Sequence, residues 1–142
     1  MFQGVEVPQE IIAASDAKKK KKDKTLAQLP VFRAAANLLY VVTEAVKGGP
    51  NSLRKFYDIM LADTAEVMKA IGMADAARNP EDRAWYIDSA LVLVNVVKFY
   101  LTILRKLGLL EKDVDNKMKR LVRSIIAQLV GWRDYTRSEG AK

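Results

Sequence analysis

The sequence predicts an all-α protein: an antiparallel up-and-down four-helix bundle preceded by a basic N-terminal arm. Three observations carry this expectation. After Pro30 the strong breakers are Gly48-Gly49-Pro50-Asn51, the stretch 72–80 and Leu107-Gly108, which leave four segments of helical length. Within those segments apolar residues recur at spacings of three, four and seven, the period of a helix with one covered face. The connections are short, and short connections between long helices make neighbours antiparallel. With 142 residues, half of them apolar, the chain suits one continuous core and no second domain. The organisation expected is an arm over 1–28, a bundle over 29–138 and a flexible tail over 139–142.

The arm contains an unbroken basic run, Lys18, Lys19, Lys20, Lys21 and Lys22, with Lys24 following Asp23. It is polar and lacks an apolar period, so a mobile segment that adds nonspecific attraction for phosphate is expected. The weakly apolar stretch from Val5 to Ala14 is long enough for a short docking helix. Glu6, Pro8 and Glu10 interrupt the first 17 residues, which do not read as a secretory signal and point to the cytoplasm. A first helix is expected over Pro30 to Lys47. A second, over Ser52 to Ile71, places Leu53, Phe56, Met60, Val67, Met68 and Ile71 on one face, with Lys55, Asp58, Glu66 and Lys69 elsewhere.

The third helix is expected over Pro80 to Leu107. Asn79 can accept the free N–H groups of the first turn, Pro80 suits the first helical position, and Glu81 and Asp82 face the positive end of the dipole. Gly108 suits a left-handed C-terminal cap. Asp88, Asn95, Lys98, Thr102 and Arg105 form a polar arc, and nearly everything else is apolar. That is a wider apolar surface than one bundle core needs. Either the other three helices wrap it, or Val96, Phe99, Tyr100 and Ile103 belong to a second interface with another copy of the chain. Charged residues within the run argue against a membrane span.

The fourth helix is expected over Glu111 to Arg137, with Val114, Met118, Leu121, Val122, Ile125, Leu129 and Trp132 turned inward. Lys112, Lys119, Arg120, Arg123, Arg133 and Arg137 gather around the other side, a basic ridge at least four turns long. Cations one turn apart can each neutralise a phosphate and release its counterions, which gives salt-sensitive binding with little sequence preference. The alternative is a solvated face that only confers solubility. The net charge of +7 agrees with the first reading. Gly131 interrupts this helix and suggests the close approach of a backbone or bulky side chain. Trp132 lies on the apolar stripe as a core or interface anchor, and Ile126 and Val130 lie inside the basic arc, where they can meet a protein partner.

Catalysis is not expected. The sequence has no Cys and no His, so thiol nucleophiles, the usual zinc sites and imidazole acid–base chemistry are excluded, and no cofactor or metal is called for. Asp58, Asp63 and Glu66 share a helix, but surface salt-bridging accounts for them better than an active site does.

Four segments in order, "LPVFRAAANLLYVVTEAV", "SLRKFYDIMLADTAEVMKAI", "LVLVNVVKFYLTILRKLGLL" and "IIAQLVGWRDYTR", resemble the Avd family, the accessory variability determinants of diversity-generating retroelements. In outline the chain is also similar to the helical bundles encoded in intervening sequences of 23S rRNA genes. The resemblance runs from about Leu29 to Arg137, and its most specific part is Gly131-Trp132 followed by basic residues. It implies a four-helix bundle that assembles into a pentameric ring, binds RNA or DNA through basic surface and associates with the retroelement reverse transcriptase during mutagenic copying of a template RNA. Gly131 and Trp132 match the family's packing signature, and Lys119, Arg120, Arg123, Arg133 and Arg137 fall where its last helix is basic. The run Lys18 to Lys22 matches no family motif. The alternative reading is a structural protein-interaction bundle of the intervening-sequence type whose charge is incidental.

Overall fold

A computed structural model of the chain describes residues 25–141, so the basic run at 18–22 and the stretch 5–14 lie outside the described residues. Four α-helices follow one another: α1 (Pro30–Val46), α2 (Arg54–Ala76), α3 (Pro80–Lys106) and α4 (Lys112–Gly140). Each packs chiefly on its neighbours in sequence, and α4 closes the square against α1. This is the four-helix bundle that the breaker spacing predicts. The core is built of aliphatic side chains and methionines, with Leu38 from α1, Met60 and Ile71 from α2, Ile87 and Leu104 from α3, and Met118, Ile125 and Leu129 from α4 fully buried. Burying each such side chain contributes about 1.5–3 kcal/mol.

Local chemistry fixes the ends of α3. The Asn79 side-chain oxygen accepts the Asp82 N–H at 2.8 Å, and Pro80 occupies the first helical position. At the other end Gly108 adopts φ +72°. Its N–H donates to the Arg105 carbonyl and that of Leu109 to the Leu104 carbonyl, both at 3.0 Å, the paired bonds of a Schellman cap.

Two helices run further than expected. α2 continues through Gly72 to Ala76 because Ala74 still faces the core and is fully buried there, which outweighs glycine's penalty of about 1 kcal/mol. Its last carbonyls are also bonded from the next helix: Arg83 donates from Nε to Ala74, which already accepts the Ala77 N–H, at 3.0 Å and from Nη2 to Ala77 at 2.9 Å. α4 reaches Gly140, so residues 139 and 140 are helical rather than a tail. The last residues assigned to the arm are packed as well. Leu26–Gln28 form one 3-10 turn with Thr25 and Ala27 buried, and Leu26 lies against Gly72.

The buried face of α2 is also broader than its apolar stripe. Tyr57 and Thr64 are buried; the Thr64 hydroxyl donates to the Met60 carbonyl at 2.7 Å and so needs no other partner. Leu53, Phe56 and Met68 lie at the margin of the core, and Leu53 precedes the helix in a 3-10 turn. Tyr57 reaches across to the α1–α2 turn, where a Cβ on Gly49 would overlap its hydroxyl and ring.

Candidate nucleic-acid interface

The start of α4 sets the geometry of its cations. Asp113 and Asp115 occupy the first turn, where carboxylates favour the helix dipole. Asp115 turns inward and is buried. Both its oxygens accept from Arg105 of α3, from Nε at 2.8 Å and from Nη2 at 2.9 Å, and the Lys119 ammonium stands 3.6 Å away. The bidentate bond holds the Asp115 carboxyl below its ordinary pKa and raises that of the Arg105 guanidinium.

The predicted ridge thereby divides. Lys112, Arg120 and Arg123 are exposed, with no acid partner among the described residues. Lys119 is tied loosely to Asp115. Arg133 and Arg137 turn towards α3, where Asp88 takes both, at 3.6 Å and 3.0 Å. The uncompensated charge is therefore in the N-terminal half of α4. Ile126 and Val130 pack against the core from within the basic arc.

α3 carries a second apolar surface. Trp85, Val92, Val96, Phe99, Ile103 and Leu107 are exposed at spacings of seven, four, three, four and four, a stripe on the side opposite the buried Ile87, Val94 and Leu101. Phe99 is 67% and Val92 64% exposed, so the other helices leave this face uncovered. Tyr100 is packed differently. Its hydroxyl donates to Asp63 at 2.7 Å, which raises its pKa, and its ring stands edge-on to Phe56 at 5.5 Å. Asp63 is thus an acceptor for a phenol, while Glu66 pairs with Lys69 at 3.9 Å as a surface acid. By length and composition α3 is apolar enough to cross a membrane, the one such helix among the described residues, with 39% of the qualifying window buried in the bundle.

Gly131 corrects an expectation. It is exposed, and a Cβ there would meet nothing within 4 Å, so no close approach accounts for it. Trp132 is half-buried against the core, as its place on the stripe suggests.

Sequence reasoning missed the part that Lys98 and Arg105 play. They line a cleft of about 280 Å³ between α3 and α4 together with Thr102, Lys119, Arg123 and Ile126, over a floor of buried Leu101 and Val122. The signal was present in the spacing: Lys98, Thr102 and Arg105 lie four and three apart on one edge of α3, as Lys119, Arg123 and Ile126 do on α4. Among the described residues no group of three or more acids converges to hold a metal ion. The chain matches no protein-family model, and no curated protein matches it.

Proposed function

We propose that the protein is a non-enzymatic, nucleic-acid-binding accessory protein of a diversity-generating retroelement, acting in the cytoplasm as an oligomer beside the reverse transcriptase and its template RNA. The observation that carries the reading is the exposed charge of Lys112, Arg120 and Arg123, none of which forms a salt bridge among the described residues. Such cations release counterions when they meet phosphate, so affinity falls steeply with salt.

The oligomer is a second part of the proposal, and its contact is the outer stripe of α3. With aromatic side chains offering 150–250 Å² each, the six exposed residues present roughly 600 Å² of apolar surface. A standard interface takes about 800 Å² from each partner, so a second copy of the chain fits with little rim added. The pentameric ring is what the Avd resemblance implies. Light scattering and retention of RNA at low salt test both parts. A defined oligomer with salt-sensitive RNA binding is expected; a monomer that retains no RNA refutes the reading.

One observation favours the alternative, a structural protein-interaction bundle: Arg133 and Arg137 already pair with Asp88, Arg133 also with Asp134, and Asp115 engages Lys119. In that case replacing Lys119, Arg120 and Arg123 together with Ala leaves partner binding intact. Loss of both RNA binding and reverse-transcriptase activity in a reconstituted complex excludes it.

A further inference from the structure

Resting on the nucleic-acid-binding reading, we infer that the cleft between α3 and α4 is where the strand is gripped, and that it takes the backbone phosphates of single-stranded nucleic acid. Four cations converge on it: Lys98 and Arg105 from α3, Lys119 and Arg123 from α4. The acid in contact with them is Asp115, so the cleft keeps three positive charges. Lys98 and Arg123 have no ion partner among the described residues. Arg105 spends two of its five N–H groups on Asp115 and keeps the others, with its guanidinium plane fixed by that fork.

Neighbouring clefts lack this combination. The one lined by Asp88, Val92, Phe99 and Arg133 is apolar, and its acid is taken by arginines. The one beside Lys117 and Arg120 includes Asp113, which offsets charge. The Lys98–Arg123 cleft sets a cationic rim over an aliphatic floor, and that pairing suits a strand whose phosphates meet the rim while sugar or base lies on Leu101 and Val122. The cations are spaced along the helices at short intervals: Lys119 to Arg123 is four residues, about 6 Å of helix rise, and Lys98 to Arg105 is seven, about 10 Å. The Thr102 hydroxyl already donates to the Lys98 carbonyl at 3.1 Å, so recognition falls to the cations. A cleft of about 280 Å³ between two packed helices holds a short piece of one strand and does not admit a duplex.

The test compares two double variants of the full chain by fluorescence anisotropy with a labelled oligouridylate, from low to moderate salt. Lys98→Ala with Arg123→Ala is expected to weaken binding about tenfold or more and to flatten the slope of log K against log salt by about 1.4, two contacts at about 0.7 each for a single strand. Lys98→Arg with Arg123→Lys keeps both charges and is expected to bind as the native chain does, which separates lost charge from lost fold. Lys112→Ala with Arg120→Ala, outside the cleft, is expected to weaken binding less. If the outer pair abolishes binding and the cleft pair does not, the cleft assignment is overturned while the broader reading survives. If the native chain binds no oligonucleotide at low salt, the broader reading itself fails. Duplex RNA bound as tightly as the single strand, or displacement of the oligonucleotide by equimolar pyrophosphate, also overturns the assignment.

Discussion

Asp115 is the residue whose removal is most informative, because its effect on stability can be bounded from the geometry around it. Replacing it with Asn keeps the shape and removes the charge that Arg105 grips at 2.8 and 2.9 Å. Breaking a fully buried ion pair costs about 3–5 kcal/mol, and an exposed pair is worth about 0–1. This pair lies between: the Asp115 side chain is 11% exposed, but that of Arg105 is 37% exposed and can recover water when its partner is lost. The expected loss is therefore about 1–3 kcal/mol, the range for leaving a buried polar group without its partner. Urea unfolding at neutral pH should show it as a lower midpoint at unchanged slope. The dependence on pH supplies a second, independent check. The folded carboxyl titrates below its unfolded value of about 3.9, so its contribution is complete above that value and disappears as pH falls through the folded pKa. The gap between native chain and variant should accordingly be full at pH 6 and shrink in strong acid. Equal stability at neutral pH, or a gap unchanged between pH 6 and pH 2, would refute the reasoning.

Other substitutions probe the turns and caps. Gly108→Ala and Gly131→Ala should act in opposite directions in thermal melts. The first forces an L-residue to φ +72° and costs about 1–2 kcal/mol, whereas the second replaces an exposed helical glycine in open space and gains about 0.5–1. Gly49→Ala should destabilise by about 1–3 kcal/mol, since the new methyl overlaps the buried Tyr57 ring as well as its hydroxyl, and adding Tyr57→Phe, which keeps the ring, should not restore the loss. Arg83→Met keeps much of the stem but removes the guanidinium's bonds to the Ala74 and Ala77 carbonyls; about 1–2 kcal/mol should be lost, with faster amide exchange at the end of α2.

What could be read from the sequence depended on how local its cause is. Asn79-Pro80 and Gly108 fix the ends of α3 through bonds within a few residues, and both were legible in place. The end of α2 was not, because Gly72 is a local breaker overruled by burial of Ala74 and by Arg83, a cap nine residues away. Asp115 reads as a first-turn acid favouring the dipole. That it turns inward depends on Arg105 across the α3–α4 turn, which no helical wheel of α4 alone contains. For the same reason the basic ridge could be found but not apportioned. Arg133 and Arg137 share its sign with Arg123, and only the packing of α4 on α3 brings Asp88 to two of them. The excess apolar surface of α3 was legible as an excess, and the helix divides it into a core side and an uncovered stripe.

That division couples the two parts of the proposed function. Around α3 the core side holds Ile87, Val94 and Leu101, the opposite side holds Val92, Phe99 and Ile103, and the edge between them towards α4 carries Lys98 and Arg105. A copy docked on the outer stripe covers Phe99 without covering the cleft, so each added subunit brings a further phosphate-binding cleft to the same assembly. Binding of a long strand then becomes multivalent, with avidity that can exceed single-site affinity by about 10²–10⁴. Phe99→Asp places a charge in the stripe and leaves the cleft cations unchanged. Under the proposed assembly it should yield a smaller species by light scattering, bind a short oligonucleotide as before, and lose about a hundredfold affinity for a long one. Equal losses for short and long strands would show that the stripe itself touches nucleic acid. An unchanged oligomer would mean that copies meet elsewhere, and the uncovered face of α3 would then have to be assigned to a different partner.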